Sequence, residues 1–216
     1  KWIAYISDKT GDYEIYLLDP KGKKKTKQLT KNHKVWKPSV TWSPNSKYIL
    51  FYDMNRELNL IDVATSAITK IAKGTFGDIT DYTWSADSKW IAYSMTQANR
   101  LSALFVYSLD KKKIHSLSTG QYNDQGPAFS KCGKYLFFQS DRDFDMSFAE
   151  GFSSMEFDYV YNKTTRIYAM ALTKDAPNLF RDEDDMEEKP AGPKKDKKDK
   201  KAKKGKKDKK GKKGKK

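Results

Sequence analysis

The sequence predicts an all-β fold, a partial β-propeller of about three and a half four-stranded blades followed by a disordered lysine-rich tail. Three observations lead there. An eleven-residue phrase recurs along the chain, each copy sits in a unit of four strand-like runs, and the charge is confined to the C-terminal end. Trp42-Ser43-Pro44-Asn45-Ser46-Lys47-Tyr48-Ile49-Leu50-Phe51-Tyr52 aligns with Trp84-Ser85-Ala86-Asp87-Ser88-Lys89-Trp90-Ile91-Ala92-Tyr93-Ser94. Phe129-Ser130-Lys131-Cys132-Gly133-Lys134-Tyr135-Leu136-Phe137-Phe138 is a third copy, and Lys1-Trp2-Ile3-Ala4-Tyr5-Ile6-Ser7 is the back half of a fourth. Measured on the aromatic after the lysine, the steps are 46, 42 and 45 residues. Hairpins of an ordinary β-sandwich give regular turn spacing but not a recurring phrase.

Each unit reads in the same order. A short first strand ends in an aromatic residue and serine: Val40-Thr41-Trp42, Tyr82-Thr83-Trp84, Ala128-Phe129. A turn of Pro, Asn, Asp, Ser or Gly follows, residues that set or tolerate turn dihedrals. The second strand is apolar, as in Tyr48 to Tyr52. The third alternates: Glu14 to Asp19, Leu58 to Asp62, Leu104 to Asp110 and, in the last unit, Thr165 to Leu172. The fourth is more polar and suits the rim: Thr26 to Thr30, Ala67 to Ile71, Lys113 to Leu117. The expected blades are residues 1–37, 38–79, 80–125 and 126–172, within a propeller domain 1–180 and ahead of a tail 181–216. The first unit lacks its inner strand and the last stops at its third. Closed propellers use about four to eight blades. The chain is therefore expected to be a fragment that missing propeller blades complete. By itself it is expected to be marginally stable or to self-associate as a homo-oligomer through open blade faces.

The formal charge of +15 is local. Residues 189–216 hold 17 lysines and 3 aspartates, leaving 26 basic and 25 acidic side chains in the other 188 residues. The body is near neutral, so the basic balance says nothing about its fold or ligand. Cys132 is the sole cysteine, which excludes an intrachain disulfide. No apolar run reaches the length of a membrane span. The chain opens inside a strand pattern, so the absence of a visible N-terminal export signal says little about location.

The repeated phrase resembles the propeller repeats of tricorn proteases, TolB-like periplasmic proteins and prolyl-oligopeptidase-type peptidases. Later phrases separate them. Ser140-Asp141-Arg142-Asp143-Phe144, Phe157-Asp158-Tyr159-Val160-Tyr161 and Thr164-Thr165-Arg166-Ile167-Tyr168-Ala169 resemble the closing blade of the second propeller of tricorn protease homologues. Gly77-Asp78-Ile79-Thr80-Asp81-Tyr82-Thr83-Trp84 and Asn99 to Leu109 resemble the same family. The resemblance implies a cytoplasmic serine peptidase that degrades oligopeptides. In such an enzyme two propellers admit peptides to a shielded active site and precede PDZ and peptidase domains. The catalytic Ser, His and Glu belong to that peptidase core, so none is carried over to this chain. The alternatives are a TolB-like, non-enzymatic periplasmic propeller that binds protein partners, and a polyanion-binding protein acting through its tail.

The chain offers little chemistry of its own. His33 and His115 lie in polar, lysine-rich contexts unsuited to a catalytic base. One cysteine and two separated histidines make no metal site, and no phosphate-binding glycine loop or other cofactor motif is present. Arg142 is a peptide-channel candidate, because a guanidinium matches a carboxylate bidentately. The preferred reading is local: Asp141 and Asp143 pin it in a turn after the second strand. Arg166 carries the same two readings. Phe144 to Tyr161 breaks the blade pattern with six aromatics in 18 residues, and its Phe148 and Phe152 are candidates for lining or plugging the channel. The stretch reads as a long loop, the other reading being that it packs on a neighbouring domain. Asp182 to Glu188 is acidic and the lysine triplets beyond it cannot bury apolar surface, so the tail reads as an extended linker. The other reading is salt-sensitive contact with a nucleic acid or an anionic membrane.

Overall fold

Serine governs the repeated turn. The Ser43, Ser85 and Ser130 hydroxyls accept the backbone N–H of Tyr48, Trp90 and Tyr135 at 2.9, 2.9 and 3.0 Å, which closes each first strand onto its second. Each turn passes through one left-handed residue: Ser46, Ser88 and Gly133, with φ of 59°, 61° and 72°. The structure is a computed structural model and describes residues 2–179 apart from 32, 33, 80, 145, 149–158, 162 and 163. Among the described residues every element is a strand.

The first sheet holds β1 (Ile3–Ser7), β2 (Glu14–Leu18) and β3 (Lys27–Gln28). The second holds β4 (Ser39–Trp42), β5 (Tyr48–Tyr52), β6 (Glu57–Asp62) and β7 (Ile68–Lys73). The third holds β8 (Tyr82–Trp84), β9 (Trp90–Thr96), β10 (Ser102–Ser108) and β11 (Lys113–Ser116). All are antiparallel meanders in chain order. The fourth joins β12 (Asp124–Phe129), β13 (Tyr135–Asp141) and β16 (Thr165–Ala171). Between its last two strands, β14 (Met146–Phe148) and β15 (Tyr159–Tyr161) pair as a separate hairpin.

Two sequence expectations change here. The stretch from Phe144 to Tyr161 contains a hairpin and is not a plain loop: Met-Ser-Phe and Tyr-Val-Tyr are short alternating runs of strand formers. Asp141 is not in a turn; it ends β13, opposite Thr165. Phe152, His33, Thr80 and the acidic and lysine-rich tail lie outside the described residues.

Alternation makes one strand serve two cores. Ile49 and Phe51 of β5 point to the first sheet and pack with Ile15, Leu17, Leu29 and Ile61. Leu50 and Tyr52 point the other way and join Leu58, Leu60, Trp84, Ile91, Tyr93 and Tyr107, which fuse the second and third sheets. Each such buried side chain is worth roughly 1.5–3 kcal/mol of transfer free energy. Tyr48 stacks on Trp84 at 6.4 Å and Tyr93 on Phe105 at 5.6 Å, so the aromatics of the repeated phrase are core residues. The outer strands carry the polar load: β11 is exposed throughout. Residues 1–177 form one compact unit, and Asn178 and Leu179, which belong to the second, are exposed.

Candidate channel wall and its polar belt

β4, β8 and β12 each begin their sheet and form its inner edge, with β12 packed against β8. Their exposed residues are small and neutral, while Val40, Trp42, Tyr82, Gln125 and Phe129 are half-buried. Ser39 and Thr41 on β4 and Gly126 and Ala128 on β12 are exposed, and Thr83 on β8 is half-buried. A bulge shapes β12: its register shifts between Gln125 and Ala128, where Gly126 takes φ of 62° and Pro127 is buried. Proline, having no N–H, is tolerated in a sheet at such an edge bulge.

At the start of these strands a belt of polar links ties each sheet to the next. Glu14 on β2 and Lys37, just before β4, form an ion pair at 3.6 Å with both side chains buried. The Lys37 ammonium also donates to the Tyr13 and Val35 carbonyls at 2.8 and 2.9 Å, and Thr30 donates to Glu14. A lysine so buried is tolerated only when its donors are taken up. Ser39 and Tyr82 hydroxyls meet at 2.9 Å, linking the second sheet to the third. Asp81, one residue before β8, accepts the Ser94 hydroxyl and the Gly126 N–H, both at 3.3 Å, linking the third to the fourth.

The last station of the belt holds Arg142. Its Nε donates to the Ser140 hydroxyl at 2.7 Å, and one terminal nitrogen donates to both Asp124 oxygens at 3.2 and 3.3 Å. Ser140 donates in turn to Asp124, and both residues are buried. The guanidinium lies among Tyr122, Tyr168 and Phe138, at 4.9, 5.0 and 5.6 Å from their ring centres. Cation–π contacts of this kind add to a desolvated ion pair. Arg142 is thus held by Ser140 and by Asp124, 18 residues back, and not by the flanking Asp141 and Asp143. Asp141 accepts from Asn123 and Thr165, and Asp143 pairs with Arg166. Arg166 projects from β16 with its side chain 57% exposed. Phe148 stands on β14 opposite Tyr159.

Arg142 and Arg166 therefore come together around the end of β13, each on a carboxylate. Sequence reasoning missed Asp124, Tyr122, Tyr168, Asp81 and the Glu14–Lys37 pair. The only available signal was weak: an acidic residue just before or at the start of two inner strands, Asp81 and Asp124. His115 is exposed on β11. Among the described residues no three His, Cys, Asp or Glu side chains are grouped as metal ligands.

Four antiparallel sheets, three of them with an inner first strand that ends in a repeated aromatic-Ser turn, match a known architecture. The family model for the tricorn protease second beta propeller domain covers residues 1–212. The chain belongs to that family. The tricorn protease of Thermoplasma volcanium is 30% identical over 142 residues, 63% of this chain and 13% of that protein. Tricorn protease homolog 1 of Streptomyces coelicolor is 21% identical over 183 residues, 83% of this chain and 17% of its own length. The chain thus spans less than a fifth of either relative. A crystal structure of the tricorn protease superposes with a TM-score of 0.71 at 23% identity, covering 82% of this chain and 17% of the other. TolB from Acinetobacter baumannii gives 0.51 at 19% identity, covering 81% and 40%, a likeness of fold alone.

Proposed function

We propose that this tricorn second-propeller chain is the non-catalytic part of a serine protease that degrades oligopeptides, and that its inner strands pass peptides to and from the active site. The observation carrying this reading is the wall itself. Ser39, Thr41, Thr83, Gly126 and Ala128 present small, uncharged groups along three successive sheets. A conduit for peptides of varied sequence is served by such a wall, because it offers no strong hydrogen-bond or charge trap. The aspartates and arginines of the belt are already engaged by partners within the protein. The PDZ and peptidase domains of the parent protein would supply the chemistry.

The test is made in a full-length protease carrying this propeller. Thr41→Trp and Ala128→Trp narrow the wall without touching the belt. Hydrolysis of peptides of about ten residues is expected to fall on the order of tenfold in kcat/KM, while turnover of a small chromogenic substrate holds. Equal loss for both substrates, or none for either, would reject the conduit.

A further inference from the structure

The turns at the far end of the inner strands differ in one atom group. Between the second and third sheets, the Asn45 N–H donates to the Ser88 hydroxyl at 3.0 Å, and Ser88 is buried. One sheet further on, Asp87 stands in the place of Asn45 and Gly133 in the place of Ser88. Glycine has no hydroxyl, so the Asp87 N–H makes no bond to the next turn and faces its own carboxylate. At this junction the structure holds a cleft of about 570 Å³ between the turn Ser85–Asp87 and the turn Lys131–Gly133. Its walls are Trp90, Val106, Phe129 and Leu172. No atom lies within 4 Å of where a Gly133 side chain would begin.

The rim is cationic on balance. The Asp87 carboxylate is taken up by the Ser85 hydroxyl at 2.5 Å and the Lys89 N–H at 3.1 Å, and it has the Lys89 charge beside it. Lys134 is paired with Asp175 at 3.0 Å. Lys131 makes no ion pair among the described residues. An apolar slot with one ammonium at its edge, free of ion pairs among the described residues, is complementary to an apolar group carrying a carboxylate.

We infer that this cleft binds the C-terminal residue of a peptide, its large apolar side chain between Trp90 and Phe129 and its carboxylate on Lys131. The peptide as occupant rests on the conduit reading above; the shape and charge of the cleft do not. The site lies at the opposite end of the inner strands from the Arg142 belt. It would hold a peptide end beside that mouth of the conduit.

Cys132 lies in the wall, is exposed, and is the sole cysteine, so its thiol reports on occupancy. The experiment follows alkylation of the whole chain by iodoacetamide in the presence of N-acetyl-leucyl-phenylalanine. With a dissociation constant of about 1 mM, the free acid at roughly five times that concentration slows alkylation about sixfold. The C-terminal amide is expected to protect much less. Lys131→Gln weakens protection and Ala86→Trp, which puts a large side chain into the slot from its rim, abolishes it; unchanged thermal melts show that both variants fold. No protection by the acid, equal protection by the amide, or protection that survives Ala86→Trp would overturn the site. Alkylation involves no peptide turnover, so its failure leaves the conduit reading intact. The wall variants fail or succeed without reference to this cleft.

Discussion

The junction of the second and third sheets and the junction of the third and fourth start from the same repeat and close differently. The first is filled by aromatic and aliphatic side chains and sealed at its turn by the Asn45–Ser88 hydrogen bond. The second meets, by alternation along β9 and β10, the faces of Trp90, Ala92, Ser94, Leu104, Val106 and Ser108, which are smaller and more polar. It relies on Asp81 reaching Gly126 and leaves a cleft at Gly133. A repeat fixes the strands of a blade, but what a blade does is decided by the few positions where copies diverge.

That contrast can be broken first at the core. Leu50→Ala is expected to cost about 3–4 kcal/mol in urea unfolding, and Val106→Ala, beside an existing cleft, only about 1–2 kcal/mol. Equal costs would mean that the two junctions are packed alike. The belt is tested next. Arg142→Ala leaves the buried Asp124 without its cation and is expected to cost about 2–3 kcal/mol. Asp124→Asn in the same background should recover part of the loss, as a double-mutant cycle would show.

The turn swap is smaller and more specific. Ser88→Gly is expected to lose about 1 kcal/mol and Gly133→Ser to gain about half of that, since serine already occupies the same left-handed position in the other two turns. Tyr93→Phe should be neutral or stabilising by up to about 1 kcal/mol. The Tyr93 hydroxyl is buried with no hydrogen-bond partner among the described residues, and burial raises its pKa. A loss on Tyr93→Phe would reveal a partner that the structure does not show.

The smallest effect is in pH. Burial works to raise the Asp87 carboxyl, but the Ser85 hydroxyl and the N–H and charge of Lys89 outweigh it and hold its pKa below the ordinary value. A group depressed in the folded state stabilises above its unfolded pKa, near 4, and loses that contribution as pH falls through the folded value. The melting temperature of Asp87→Asn should therefore lie below that of the parent chain at pH about 7 and converge with it as acid carries the pH below the depressed folded value.

How much of this was legible follows from distance along the chain. The serine that anchors each turn and the aromatics that fill the core recur in register, so one copy explains the next. The first sheet without an inner strand and the last without a fourth were equally visible as missing phrases. The Arg142 site was not. Its partner is 18 residues away, across a ladder whose register depends on a bulge, while two aspartates flank it in sequence and bind other groups. Lys37 was hidden for a different reason: in a chain with 43 basic residues, a buried lysine looks like any other until Glu14 folds over it. The β14–β15 hairpin was obscured by Gly151 and the serines around it, which read as loop.

Amide hydrogen exchange tests the unequal junctions most directly. Buried ladders open only with the global unfolding, whereas loosely packed ones open earlier. The prediction is that β5 and β9 exchange slowest, that β13 and β16 exchange faster, and that Gly133→Ser slows β12 and β13 alone. If β13 is protected as well as β9 in the parent chain, the third and fourth sheets are as tightly joined as the second and third, and the account fails.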